Sequence, residues 1–266
     1  MNYYIMSNKE LHFWNKWHLG DHIFNCIYFY SIKDYIEKEN IKIFYYIPDI
    51  YLYQVSEFIP SENIILSSIN EHRGTNIWIG CDDYDYNWFK YSKSNECSGF
   101  DIFLLNFFNK FSEKIKIPIK MNEFKYMDNE LLLRYEALPE IYKDIDILII
   151  NSQPLSGQVD MTMNFINDMY LTINELNKKY KIVTTKKIEG INCTLDNNYT
   201  IKTIAAISTK AKMIICINTG PIVGLFNGFT LNNCKIIYYI DKTNTYSNNK
   251  FKKINYFSEC NVENFI

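Results

Sequence analysis

Arginine is nearly missing from this chain: 266 residues contain two, Arg73 and Arg134. Lysine does not make up the difference. Basic residues number 28 against 30 acidic ones, and the formal net charge is −2. A broad nucleic-acid-binding face needs clustered positive charge, so nucleic acid is not an expected partner; a local basic pocket is still compatible with these numbers. No two of the seven cysteines (Cys26, Cys81, Cys97, Cys193, Cys216, Cys234, Cys260) have CxxC spacing, and several lie inside apolar runs. They read as buried thiols in a reducing compartment, not as a zinc set. No apolar run reaches the roughly 18–20 residues that span a bilayer, and the first ten residues lack a basic stretch followed by an apolar one. The expected location is the cytoplasm, or a host's cytoplasm for a viral source, with peripheral membrane association left open. His18 and His22 are four apart, but Gly20 and Asp21 between them argue against one helix carrying both as metal ligands. Asp82, Asp83 and Asp85 lack the Gly-x5-Glu pattern of an EF-hand, and no Gly-Lys-Ser/Thr is present. Neither a metal nor a resident cofactor is expected.

What is present is core-forming material. Hydrophobic residues make up 47% of the chain and charged ones 22%, which excludes a disordered chain. Ile, Asn, Lys and Tyr are favoured; all have AT-rich codons, so the aromatic content alone does not indicate a binding surface. From His22 to Glu39 apolar residues recur at three- and four-residue steps, the pattern of an amphipathic helix, with Asp21 placed to cap it. Strands are expected at 41–47, 63–66, 75–79, 146–150, 180–185, 190–195, 212–217 and 235–240. Helices are expected at 50–58, 100–112, 130–138, 161–179, 200–211 and 222–226. Strands alternating with helices give parallel sheets covered by helices. The expected fold is α/β, two Rossmann-like domains with parallel sheets facing across a cleft. Pro139 and Lys143-Asp144 interrupt the pattern, so the boundary is set between residues 1–143 and 144–266. One continuous sheet is the competing layout.

In open parallel sheets ligands bind beyond the carboxyl ends of the strands, and several polar segments fall there. Asn218-Thr219-Gly220-Pro221 joins a strand to a short helix. Its free backbone N–H groups could hold an anion, with the Thr219 hydroxyl as an added donor; an ordinary strand-to-helix turn is the alternative. Ser156-Gly157-Gln158, after the strand at 146–150, offers amides for a phosphate or is simply a capping loop. One of Lys186 and Lys187, after the strand at 180–185, could pair with a diphosphate, or both are a solvated strand end. Before the first long helix, Asp21 is a cap or a general base, with Gly20 and His22 beside it.

Leu19-Gly20-Asp21 ahead of a long helix, followed near the other end by an apolar strand running into Asn218-Thr219-Gly220-Pro221, resembles the heptosyltransferase-like family 9 of GT-B glycosyltransferases. The resemblance covers both ends of the chain. It implies an N-terminal half that binds a glycan or other hydroxyl acceptor and a C-terminal half that binds a nucleotide-diphosphate sugar, the co-substrate. By the same resemblance Asp21 is the base of an inverting, metal-independent transfer, Thr219 and Gly220 lie beside the donor diphosphate, and Ser156 to Gln158 approach it. The chain departs from the family pattern at Asn218, where an Asp is usual, and at Val223, where a His is usual. A non-catalytic nucleotide- or glycan-binding relative and a GT-B-type sugar epimerase are the alternatives.

Overall fold

The computed structural model describes residues 9–78, 108–120, 128–154, 159–242 and 250–263. The chain forms two compact units, Met1–Lys125 and Tyr126–Ile266. This junction precedes the one expected near 140–145. The helix Asp128–Glu136 and the 3-10 turn Glu140–Tyr142 are tied to the second unit by their side chains. Arg134 donates to Thr203 (3.0 Å), Lys202 pairs with Glu130, and the Tyr142 hydroxyl donates to the Cys193 carbonyl (2.9 Å).

The first unit holds a four-stranded, all-parallel sheet in the order β3-β2-β1-β4: β1 Lys9–Trp14, β2 Ile41–Ile47, β3 Ile64–Ser68 and β4 Thr75–Asn76. The central strand β1 was not expected. Leu11 and Phe13 alternate with His12 and Trp14, but exposed Lys9 and Glu10 mask the short period-two signal. Gly74, just before β4, has φ +81°, and a Cβ there would meet the His12 carbonyl oxygen at 2.0 Å. Only glycine lets the chain pass this close to β1.

Helix α1 runs from Leu19 to Lys38, three residues earlier than expected. It is not simply amphipathic, because every residue from His22 to Phe29 is buried; after Asp21 in the first turn, charge returns only in the later turns, at Lys33, Asp34, Glu37 and Lys38. A second helical layer covers the early turns. Residues 108–114 are helical, Tyr28 shares a hydrogen bond with Ser112 (2.9 Å), and the Phe111 ring packs edge-on against Phe13 and Tyr28. The segment expected as a helix at 50–58 is a 3-10 turn, Asp49–Tyr51, leading into α2, Leu52–Ser56.

The second unit holds a six-stranded, all-parallel sheet in the order β10-β9-β8-β5-β6-β7. Its strands are β5 Ile147–Ile150, β6 Ile182–Thr184, β7 Asn192–Cys193, β8 Met213–Ile217, β9 Ile236–Ile240 and β10 Phe251–Ile254. Numbered within this unit, the order is 3-2-1-4-5-6, that of doubly wound dinucleotide-binding sheets. β5, β8 and β9 are buried at every position, as strands covered on both faces must be. The helices Met163–Asn177 and Ile201–Ser208 supply cover. Edge strand β10 escaped the sequence reading because Lys252 and Lys253 separate its two buried ends. The short helix Gly228–Asn233 was likewise unexpected.

Candidate functional site

Strand order locates a binding crevice within each unit. A sheet that grows first to one side of its opening strand and then to the other leaves a gap between the loops that diverge there. In the first unit the gap opens beyond the carboxyl ends of β1 and β4. In the second it opens beyond β5 and β8.

Beyond β1, the buried Asn15 accepts a hydrogen bond from the Trp17 N–H (3.0 Å); beyond β4, Asn76 accepts one from the Trp78 N–H (3.0 Å). The same local turn thus occurs at two adjacent strand ends, where Trp14 lies opposite Asn76. Each turn projects an indole, and the two rings stack with centroids 4.3 Å apart and planes 28° apart. Neither pattern was picked out from the sequence, although Asn-x-Trp occurs at both places.

Asp21 sits beside this pair. It is not the N-cap that the sequence reading made it: His18 holds that position, and Asp21 is the third residue of the first helical turn. From there its carboxylate reaches back to accept the His18 backbone N–H at 3.1 Å. Burial raises the Asp21 carboxyl above its usual range, and the His18 backbone N–H, the His18 ring and the nearby Trp78 indole hold the rise back. A carboxylate so placed is a stronger base than a free one.

Gly20 is buried in the first turn of α1, and His22 lies in the interior. The His22 Nε2–H donates to the Trp17 carbonyl (3.2 Å), which leaves Nδ1 to accept from the Tyr45 hydroxyl (2.8 Å). Burial lowers its pKa to about 4, so the ring is neutral. His22 therefore reaches the strand end only by holding the Trp17 backbone.

Beyond β5, the fully buried Asn151 joins two strand ends. Its Oδ1 accepts from the Lys186 N–H (2.7 Å) and the Thr185 N–H (3.1 Å), and its Nδ2 donates to the Lys186 carbonyl (3.1 Å). The Lys186 side chain is exposed and has no partner among the described residues, whereas Lys187 pairs with Asp196 (3.0 Å). Ser156, Gly157 and Gln158 lie outside the described residues.

Beyond β8, Asn218 is buried and its Nδ2 donates to the Asp241 carboxylate (2.8 Å) at the end of β9. A carboxylate is thus present at this strand end, but the neighbouring strand carries it. Gly220 and Pro221 do not open an α-helix as expected. They begin a six-residue 3-10 turn, Gly220–Leu225, which packs so closely that a Cβ on Gly224 would lie 3.1 Å from Ala205. So short a turn carries little of the aligned dipole that the anion-site expectation used. Val223, in the same turn, is buried.

Thr219 stands out. It is 8% exposed, and its hydroxyl has no hydrogen-bond partner. Leaving a buried hydroxyl unsatisfied costs about 1–3 kcal/mol. Among the described residues its oxygen is the one buried side-chain polar atom in that state, and it lies at the crevice of the Rossmann-ordered sheet. No group of three or more His, Cys, Asp or Glu residues gathers into a metal-binding arrangement among the described residues. No helix there is long and apolar enough to cross a membrane.

No protein-family model and no curated protein sequence matches this chain. Solved structures do. Escherichia coli heptosyltransferase WaaC with ADP-2-deoxy-2-fluoro heptose aligns with TM-score 0.56 and 10% identity over 96% of each chain. A family 9 glycosyl transferase from Veillonella parvula DSM 2008 aligns with TM-score 0.50 and 11% identity, over 92% of this chain and 86% of that one. TibC, a dodecameric iron-containing heptosyltransferase of enterotoxigenic E. coli, was solved with ADP-D-beta-D-heptose; it aligns with TM-score 0.51 and 9% identity over 88% of this chain. The present chain spans 58% of TibC's length. At these identities the likeness shows the fold: an α/β chain of two parallel sheets, shared with the heptosyltransferase-like GT-B glycosyltransferases.

Proposed function

We propose that this protein is a glycosyltransferase that moves a sugar from a nucleotide-diphosphate donor to a hydroxyl of a glycan or similar acceptor, with inversion and without a metal ion. The observation that carries the reading is the orphaned Thr219 hydroxyl at the crevice of a 3-2-1-4-5-6 sheet. Such crevices receive nucleotides, and a phosphate oxygen would satisfy the hydroxyl. Lys186 brings an exposed cation at the end of β6, and the backbone N–H of Gly220 adds a neutral donor; the contribution expected of Ser156, Gly157 and Gln158 lies outside the described residues. Together they would offset the charge of the leaving diphosphate. Asn218 and Pro221 shape the loop that holds Thr219.

Asp21 is the base for the acceptor hydroxyl. Burial raises its carboxyl pKa, which makes the carboxylate a stronger base than a solvated aspartate. Gly20 and His22 support the turn that presents it. The departures at Asn218 and Val223 favour a second reading, a nucleotide- or glycan-binding protein without transfer activity, since buried Val223 brings no acid or base to the donor loop.

A thermal-shift screen against UDP-, GDP-, ADP- and CMP-sugars, followed by product analysis, tests both. A ligand at a hundred times its Kd stabilises the fold by about 2.7 kcal/mol. The transferase reading expects one nucleotide class to raise Tm and an acceptor-dependent product of inverted configuration whose formation survives EDTA. Stabilisation without product would favour the binding protein. No stabilisation by any nucleotide at millimolar concentration would end the donor-site assignment.

A further inference from the structure

We propose that the stacked Trp17–Trp78 pair is the platform on which an uncharged pyranose ring of the acceptor lies, with its hydroxyl rim toward Asp21. The word acceptor rests on the transferase reading above; the sugar site itself does not. Three features of the strand ends support it.

The first is the construction. Two adjacent parallel strands end in the same turn, Asn15 onto the Trp17 N–H and Asn76 onto the Trp78 N–H, and each turn delivers one indole to the same stack. The second is rigidity. The Trp17 carbonyl is held by His22, and the Ile77 carbonyl, next to Trp78, is held by the buried Asn25 side chain at 2.9 Å. Core residues thus fix the backbone at both indoles, which lowers the ordering cost of binding there. The third is the surroundings. Both indoles are half-buried at the strand ends rather than sunk in the core, where Phe13, Phe29 and Phe111 do the packing. Two face-stacked indoles leave one outer face each. The Lys16 ammonium lies 5.5 Å over the Trp17 ring, so the outer Trp78 face supplies the flat apolar surface, and Asp21 accepts the N–H of His18, the residue directly after Trp17. A pyranose has the complementary make-up, a face of C–H groups within a rim of hydroxyl donors. The Asp21 charge disfavours an anionic ring.

The test uses the full chain and ligand-observed NMR titration with methyl glycosides of glucose, galactose and mannose. Glucuronate, adenosine and uridine serve as competitors. Two variants separate ring shape from bulk: Trp78→Phe keeps a flat aromatic surface, and Trp78→Leu keeps apolar volume without one. Binding of ADP and UDP is measured in parallel as the readout of an intact second unit. The expected result is millimolar binding of at least one neutral glycoside, weakened tenfold or more in Trp78→Leu and less than threefold in Trp78→Phe, with nucleotide binding unchanged. Failure of every neutral glycoside to bind, unaltered binding in Trp78→Leu, or stronger competition by glucuronate or a nucleoside would each overturn the platform. With nucleotide binding intact, those outcomes leave the transferase reading standing. Sugar binding without any nucleotide binding would keep the platform and remove the transferase.

Discussion

At the end of β1, Asn15 is buried and turns the chain toward a tryptophan stack and a carboxylate; at the end of β5, Asn151 is equally buried and turns it toward amides, hydroxyls and a lysine. Both strands open their sheets, and both asparagines satisfy the backbone where the ladder stops. The contents then diverge. Around Asp21 the polar groups are matched: His22 has a partner on each ring nitrogen, Asn25 holds the Ile77 carbonyl just past β4, and the carboxylate accepts the His18 N–H. Around Thr219 one hydroxyl is left open. A closed network tunes a resident charge, whereas an open one is complete only with a guest. By this physical criterion the two ends differ: the first is complete as it stands, and the second has room for one more hydrogen-bond partner.

The largest effect that separates them is expected at Asp21. In Asp21→Asn the amide oxygen still accepts the His18 N–H, so the helix start survives, but the base is gone. General-base removal typically costs about 10²–10⁴-fold in rate. Transfer should fall by at least that lower bound while nucleotide stabilisation at the other end stays within about twofold. Steady-state kinetics together with a thermal-shift titration would measure both, and wild-type turnover in the variant would remove Asp21 from the chemistry. The wild-type rate should also decline toward acid with an apparent pKa above the ordinary aspartate value of about 4, because burial raises this carboxyl.

Stability at the second end depends on Asn151. Asn151→Ala strands the Lys186 N–H and carbonyl and loosens two strand ends at once. Losing a buried hydrogen-bond network of this kind costs about 2–4 kcal/mol, readable as a lowered urea midpoint with unchanged m-value. A change below about 1 kcal/mol would mean that water replaces the side chain and that the two ends are not built alike.

The closed network around Asp21 has a pH signature. Folding keeps His22 neutral down to about pH 4, while an unfolded imidazole takes up its proton near ~6.5. The unfolded state therefore binds more protons between these values. The contribution is fully present above ~6.5 and is lost as pH falls toward 4, about 2 kcal/mol of it by pH 5. Asp21 acts with the opposite sign, since a raised carboxyl favours the folded state as pH falls. The comparison must then be a difference: His22→Gln should lose less stability than wild type between pH 7 and pH 5. Equal losses would show that His22 is solvated.

Much of this architecture is legible in the residues. Strands β2, β5, β8 and β9 are apolar runs of the right length, and the long helices follow their periodicity. The strands expected at 180–185 and 212–217 put Lys186 and Asn218 to Pro221 just beyond strand ends, where the structure also has them; Asp21 is legible only as lying at the start of a helix, because β1 was not expected. The misses have physical causes. β1 and β10 carry charge at positions that the sheet leaves open to water. The 3-10 turn at Gly220–Leu225 follows from tight packing on the helix Ile201–Ser208, which no local pattern reports. Trp17 and Trp78 are about sixty positions apart, and only the β1–β4 register makes them one stack. Asp241 is invisible as a partner of Asn218 until β9 is placed beside β8. Local chemistry can be read along the chain, but convergence depends on strand order.

The smallest expected effect most directly tests whether the open hydroxyl matters. Thr219→Val replaces a buried, unpartnered hydroxyl with a methyl of nearly the same size. If the cavity is otherwise unchanged, the unliganded protein should become more stable by about 1 kcal/mol, because the desolvation cost of the hydroxyl disappears. Binding of the nucleotide that stabilises wild type should weaken by about tenfold or more, the worth of one hydrogen bond to a charged oxygen. A gain in stability coupled to a loss in affinity is what separates a group kept for a ligand from one kept for the fold. Denaturant unfolding without ligand, paired with a nucleotide titration, measures both signs. If the variant is destabilised, a partner such as an ordered water already satisfies Thr219, and the contrast between the two strand ends disappears.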